Sequence, residues 1–164
     1  MQVHSEASIS INAPRAEVFA FTNDLSRFPQ TFLGYGPIPG MERVVNLNGD
    51  ETRAGTIRNI YNVDGTVLEE HLVAHSAPNE MAYEIVSGLR APFSWLVRGA
   101  GGRWTFAERG DMTDVVWRFR FDLTTPLVYP IAYLVGAVLF RKAQQRCLRE
   151  TKRAIETART GAAR

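Results

Sequence analysis

The feature that most restricts the fold of this chain is an uncharged stretch at residues 123–140, which contains the sequence PLVYPIAYLVGAVLF and is followed at once by RKAQQR. A membrane-spanning helix needs about 20 predominantly apolar residues. This stretch is shorter, and it includes Thr124, Thr125, Pro126 and Pro130. We therefore predict that it does not span a membrane but begins a helix of a folded domain.

The composition indicates a single globular domain. Of 164 residues, 45% are hydrophobic and 22% are charged, which is enough for one substantial core. We predict one ligand-binding domain over residues 1–160 and a disordered tail over residues 161–164. The single cysteine, Cys147, excludes an intrachain disulfide, and the N-terminus lacks the segments of a signal peptide. We expect a cytoplasmic protein.

Positive charge is concentrated at the C-terminus. Residues 141–164 hold 8 Lys or Arg and 2 Glu, whereas residues 1–140 hold 11 Arg and 15 acidic residues. These cations are spread along one predicted helix, and no nucleic-acid-reading motif accompanies them. We therefore predict no nucleic-acid partner.

Apolar and polar residues alternate in most of the chain, which is typical of half-buried strands. The clearest case is the segment before residue 123, where Trp117, Phe119 and Phe121 alternate with charged residues. Two short helices are predicted between the first two strands, near Pro14 and Pro29, and a long helix over residues 130–158. The predicted strands are 3–11, 41–48, 54–63, 66–76, 80–88, 93–108 and 112–123.

This order of elements resembles the helix-grip fold of the START and pollen-allergen superfamily (SRPBCC), and within it the polyketide cyclase/dehydrase-like branch. The matching stretches are ISINAPRAEVFAFTNDLSRFPQTF, AGTIRNIYNVDG, EEHLVAHSAPNEMAYEI and GGRWTFAERGDMTDVVWRFRF, followed by the final helix. The resemblance implies an α+β fold, in which a seven-stranded curved antiparallel sheet wraps round a long C-terminal helix and two short helices follow strand one. It also implies an internal apolar cavity.

For this cavity the resemblance implies a hydrophobic small molecule, such as a lipid, an isoprenoid or a polyketide-like compound, and we expect no cofactor or metal. We predict binding and transport of this molecule; the alternative is a polyketide cyclase/dehydratase-type enzyme that uses polar cavity residues. The predicted ligand-binding residues are Asn59, Tyr61, Glu70, Leu72, Tyr83, Ile85, Trp104, Phe106, Trp117, Phe119, Tyr133, Gly136, Ala137 and Phe140.

Glu70 is the one candidate catalytic residue. Strand alternation places it on the inward face with Leu72, and a buried carboxylate needs a partner or has a raised pKa. It either orients a ligand hydroxyl or acts as an acid or base, or it pairs with Arg58 of the neighbouring strand, or the strand has the opposite parity and Glu70 faces outward. His71 and His75 do not suggest a metal site, because residues four apart on a strand are separated by roughly 13 Å. We expect both histidines on the solvent face.

The final helix has two kinds of surface when it is wound at 100° per residue. Its inward stripe contains Cys147 and Ile155, and continues back through Phe140 and Gly136 to Tyr133. Five large aliphatic residues point the opposite way and form a patch that needs a cover. We consider three covers: the protein's own loop at residues 34–40 or its early helices, a second subunit in a homodimer, or transient contact with a membrane. The patch consists of Ile131, Leu134, Val135, Val138 and Leu139.

Overall fold

The computed structural model describes residues 1–162 and contains one antiparallel sheet of seven strands in the order β1-β7-β6-β5-β4-β3-β2. Helix α1 (Arg15–Asn23) and a 3₁₀ turn (Phe28–Gln30) follow β1. The strands are β1 (Gln2–Ile11), β2 (Met41–Asn46), β3 (Ile57–Asn62), β4 (Val67–Ser76), β5 (Glu80–Ser87), β6 (Val97–Arg109) and β7 (Met112–Leu123). The predicted fold class and the number of strands are confirmed.

Strands β1 and β7 explain where the long helix packs. The aromatic side chains of β7 all face inward, and their partners on β1 are small: Ala7 is paired with Trp117, and Ser5 with Phe119. Small residues leave room for a helix to approach that edge of the sheet. The C-terminal helix accordingly contacts β1 along its length, and the side-chain oxygen of Gln144 accepts a hydrogen bond of 2.8 Å from Ser5.

The C-terminal helix is continuous but not uniform. It starts with a 3₁₀ turn (Pro126–Val128), where the Thr125 hydroxyl accepts a hydrogen bond from the Leu127 backbone at 3.0 Å. There follow α3 (Tyr129–Tyr133), a π-helical segment (Leu134–Phe140) and α4 (Arg141–Ala162). Residues 161 and 162, which we predicted in a disordered tail, therefore belong to the helix, and residues 163–164 lie outside the described part.

The π-helical segment changes which side chains face the sheet. Its hydrogen bonds join residues five apart, so each residue turns the chain by less than the 100° of an α-helix. Counting back from Phe140 at 100° therefore misplaces Tyr133, which is 50% exposed, whereas its neighbour Ala132 is buried. Gly136 and Phe140 are buried as predicted.

The predicted aliphatic patch on this helix is only partly exposed. Ile131 and Leu134 are exposed, whereas the other three members are half-buried: Val135, Val138 and Leu139. The exposed part of the patch therefore lies at the start of the helix, on α3 and the first residue of the π-helical segment.

The segment at residues 93–96 differs from its predicted strand. It forms a short helix, α2 (Phe93–Leu96), because Pro92 already has helical backbone angles, φ −80° and ψ −7°. The Phe93 ring then packs edge-to-face on Phe121, with centroids 5.8 Å apart. The same turn leaves Trp95 exposed at the surface.

Candidate functional site

The space between the sheet and the C-terminal helix is occupied by aromatic rings. Trp104 stacks on Trp117 with centroids 4.4 Å apart, and Phe119 lies at the same distance from Phe140. The predicted ligand-binding residues in this interior thus contact one another. Those that are buried are Glu70, Leu72, Tyr83, Trp104, Phe106, Trp117, Phe119, Gly136 and Phe140, while Ile85 and Ala137 are half-buried against them.

Two predicted site residues of β3 lie on the other face of the sheet. Arg58 and Ile60 are buried, so the alternation of a strand turns Asn59 and Tyr61 outward. The Tyr61 ring lies 3.7 Å beneath the Arg43 guanidinium. The prediction for Asn59 and Tyr61 was wrong. Arg58 is the cross-strand partner of the inward-facing Glu70, so the even-numbered residues of β3 face inward and the odd-numbered residues face outward. With Tyr133, three of the predicted ligand-binding residues lie outside the interior.

Arg58 and Glu70 form a buried ion pair. They are direct cross-strand partners, they are 7% and 5% exposed, and Arg58 Nε donates a hydrogen bond of 2.6 Å to Glu70 Oε1. Arg58 Nη2 contacts the same oxygen. Burial raises the pKa of Glu70, and the charge of the Arg58 guanidinium opposes that rise. The structure therefore shows the ion-pair arrangement for Glu70.

Tyr83 adds a buried hydroxyl near this pair. Its partner on β6 is Gly102, and a Cβ at that position would lie 2.4 Å from the Tyr83 hydroxyl oxygen. The glycine thus leaves the space that the phenol fills. Burial, reinforced by the charge of Glu70, raises the pKa of Tyr83 well above its usual value. Tyr83 is consequently a neutral hydroxyl at physiological pH.

Trp117 supplies a buried polar atom that forms no hydrogen bond within the described part of the chain. Its Nε1 is buried and has no hydrogen-bond partner among the described residues. The Tyr83 hydroxyl lies close to the Trp117 indole, and this proximity partly offsets the rise that burial causes in the Tyr83 pKa. The two groups nevertheless do not meet the geometry of a hydrogen bond. Most buried side-chain polar atoms have a hydrogen-bond partner, so Trp117 Nε1 is a candidate ligand contact.

Gln144 is a buried polar residue that the sequence analysis missed. It is fully buried, and its Nε2 donates a hydrogen bond of 3.1 Å to the backbone oxygen of Trp117. A polar residue beside the apolar stripe of α4 was a usable signal. Gln144 therefore ties the helix to β7 as well as to β1.

His75 faces the core rather than solvent, which corrects our prediction. The pairing of β4 with β5 shifts between Leu72 and Ala74, so Val73 is bulged and the alternation is reversed after it. The His75 ring consequently packs edge-to-face on Phe19 at 5.2 Å. His71, before the bulge, forms a hydrogen bond of 2.7 Å with Glu69 on the outer side.

This placement predicts a loss of stability in acid. Burial, followed by the charge of Arg58, lowers the pKa of His75 below its usual value. Because the native state disfavours the protonated ring, the histidine destabilises the fold as the pH drops through its unfolded-state pKa towards the lower native one. Urea unfolding between about pH 7.5 and about pH 5.5 should show a smaller pH dependence in His75→Gln than in the parent. His4→Gln, an exposed histidine, is the control; equal slopes in His75→Gln and the parent would contradict the prediction.

Two surface depressions lie outside this interior. One of about 390 Å³ is lined by Gly101 and Gly102 and by the paired charges Arg120 and Glu84, among other residues. The other, of about 450 Å³, runs along α4 past Arg149 and Arg153. Both are open and bordered by charged side chains, so neither is the apolar cavity that the resemblance implied.

A curved antiparallel sheet closed by a long helix, with a polar cluster inside an aromatic interior, defines a helix-grip protein of the SRPBCC superfamily. More narrowly, the chain belongs to the family described as polyketide cyclase / dehydrase and lipid transport, whose model matches residues 2–156. That description points to hydrophobic ligands. No curated protein matches the sequence.

Solved structures share this fold at low sequence identity. Ginseng major latex-like protein 151 from Panax ginseng is 14% identical, with a TM-score of 0.68 over 94% of this chain and 97% of that one. A protein from Thermus thermophilus is 18% identical, with a TM-score of 0.68 over 94% and 98%. Ara h 8.0201 is 12% identical, with a TM-score of 0.64 over 96% and 99%. At these identities the likeness concerns the fold alone.

Proposed function

We propose that the protein binds a hydrophobic small molecule of lipid, isoprenoid or polyketide type between the sheet and the C-terminal helix, and that it carries this molecule within the cytoplasm. The observation that carries the proposal is the unpaired Trp117 Nε1 beside other buried polar groups in an aromatic interior. An apolar pocket with a few polar atoms is the usual design of a small-molecule site. The family description supports the same class of ligand.

The polar atoms suit the orientation of a ligand. Trp117 Nε1 offers a donor, Tyr83 offers a neutral hydroxyl, and the Arg58–Glu70 pair supplies charge close by. One ligand oxygen accepting from Trp117 would satisfy the indole and fix the head of the molecule. The remaining ligand surface would contact apolar rings, where burial contributes roughly 25 cal/mol per Å².

Entry of a ligand requires the aromatic rings to separate. We place the opening at the π-helical segment, because π-helical turns interrupt the regular hydrogen bonding of a helix and are frequent at functional sites. This segment carries Gly136, whose Cα approaches Phe121 so closely that an added Cβ would lie 2.8 Å from the ring. Because the segment is in such close contact with the Phe121 ring, a small shift of the segment changes the packing of the aromatic interior.

The cyclase/dehydratase alternative would use Glu70 and Tyr83 to move protons. In the structure the Glu70 carboxylate is held by Arg58 through two guanidinium nitrogens. That engagement favours a structural and orienting role over proton transfer. We therefore rank binding and carriage above catalysis.

The test combines native mass spectrometry of freshly purified protein with titration of a dansyl-labelled fatty acid. We expect a co-purifying hydrophobic molecule and one probe bound per chain, displaced by unlabelled fatty acid. Trp117→Phe should weaken the binding of the probe about five- to tenfold, which corresponds to the loss of one hydrogen bond of about 1 kcal/mol. Trp95→Phe, which changes an exposed indole, is the matched control. The proposal would be excluded if the purified protein contains no co-purifying molecule and does not bind the probe.

A further inference from the structure

We infer that the protein docks on anionic membranes through an apolar surface formed by α2 and the start of the C-terminal helix. Six large side chains there are exposed, including Leu127 at 90%, Trp95 at 69% and Ile131 at 58%. We call this set the end surface. It consists of Trp95, Leu127, Tyr129, Ile131, Tyr133 and Leu134.

The two elements that carry the end surface are joined to each other. The Thr124 hydroxyl donates a hydrogen bond of 2.7 Å to the Trp95 backbone oxygen, and the Thr124 backbone N–H donates to Leu96 at 3.1 Å. Along the helix, Leu127, Ile131 and Leu134 follow the spacing of one helical face. The exposed side chains therefore lie on two elements that meet at one end of the molecule. Patches of this kind on a monomer mark interaction sites.

The helix lies on the protein and cannot leave it to cross a bilayer without breaking the core. By length and composition alone, the helix Pro126–Gly161 passes for a membrane span, and only 22% of its apolar 18-residue window is buried. The few buried positions, among them Ala132, Gly136 and Phe140, hold it on the sheet. A helix fixed on one side and apolar on the other suits the plane of a membrane interface.

Charge identifies the partner. Residues 88–107 and 123–149, which contain the six side chains of the end surface and their neighbours in sequence, include no Asp or Glu. Arg98 lies two residues after the end of α2, and Arg141 and Lys142 follow the π-helical segment; all three are exposed. The nearest acidic residue in sequence, Asp122, accepts a hydrogen bond of 2.7 Å from Gln2. Apolar and aromatic side chains beside cations match an anionic lipid interface, whereas a second copy would bring two cationic borders together.

Vesicle cosedimentation tests the inference with delipidated protein, so it does not depend on a ligand in the interior. We expect binding to vesicles of equal parts phosphatidylglycerol and phosphatidylcholine, and at least roughly tenfold less binding to phosphatidylcholine alone or in high salt. Leu127→Glu with Ile131→Glu should reduce binding at least about tenfold, since it places two anions in the apolar contact. Val73→Glu, an exposed residue on the outer face of the sheet, is the matched control and should bind like the parent.

A second measurement is made on the parent protein itself and needs no charge substitution in the end surface. Among the three tryptophans, Trp95 is exposed while Trp104 and Trp117 are buried. Brominated phosphatidylglycerol should therefore quench Trp95 emission in the parent protein and leave a Trp95→Phe variant unaffected. Absence of quenching would overturn the inference. It would also be overturned if the parent forms a stable dimer that Ile131→Glu dissociates and does not bind vesicles.

Discussion

Arg58→Met is expected to lower the free energy of unfolding by about 3–5 kcal/mol, because it leaves a buried carboxylate without its partner. Glu70 is 5% exposed and receives two contacts from the Arg58 guanidinium. Removing the guanidinium also removes the charge that opposes the rise in the Glu70 pKa. The double variant Arg58→Met/Glu70→Met should recover most of the loss, since an apolar pair of similar volume replaces a buried ion pair at little cost.

Urea unfolding of the three proteins measures these differences. The control is Arg118→Met, which breaks the exposed pair with Glu6 and should cost under about 1 kcal/mol. A double variant as unstable as Arg58→Met alone would contradict the expectation. If the double variant is stable but no longer binds the dansyl-labelled fatty acid, the pair serves the ligand rather than the fold.

Phe140→Ala is expected to cost about 3–5 kcal/mol, the usual range for a buried Phe replaced by Ala. Phe140 is the ring by which the helix enters the aromatic interior: its centroid lies 4.4 Å from Phe119, 5.2 Å from Phe121 and 5.8 Å from Trp117. Its loss opens a cavity between the helix and the sheet. Thermal and urea unfolding report the change.

Tyr133→Ala is the informative control for Phe140→Ala. Regular α-helical winding places Tyr133 on the same inward stripe, whereas the structure has it half exposed. Its replacement should change the free energy of unfolding by no more than about 0.5 kcal/mol. An effect of Tyr133→Ala as large as that of Phe140→Ala would mean that the first half of the helix is wound differently from the structure described.

The alternation of inward and outward residues could be predicted from the sequence wherever one face of a strand is fully apolar. In β7 the aromatic face and the charged face are separated along the whole strand, and the structure follows that pattern. The same rule failed where a single residue changes the parity. In β4 the bulge at Val73 turns His75 inward, and no residue type in that segment signals a bulge. The position of His75 is set by the pairing with β5, which the local sequence does not contain.

In the final helix, too, some features could be predicted from the sequence and others could not. Its length, its apolar stripe through Cys147 and Ile155, and its place at the end of the chain were predictable from periodicity. Its π-helical segment was not, because the backbone there adjusts to the rings of β7 and to the close approach of Gly136 to Phe121. The same adjustment left Tyr133 out of the interior.

Patterns of burial that repeat along the chain were enough to predict the number of strands and the inward aromatic residues of β6 and β7. The order of the elements carried the resemblance that implied the fold class and the family. Three relations follow from the tertiary structure alone: Glu70 is paired with Arg58, Trp117 Nε1 has no hydrogen-bond partner within residues 1–162, and Trp95 joins the start of the final helix at one surface. Those relations join residues that are distant in sequence. Their distances depend on register, bulges and helix winding, which packing fixes only once the chain has folded.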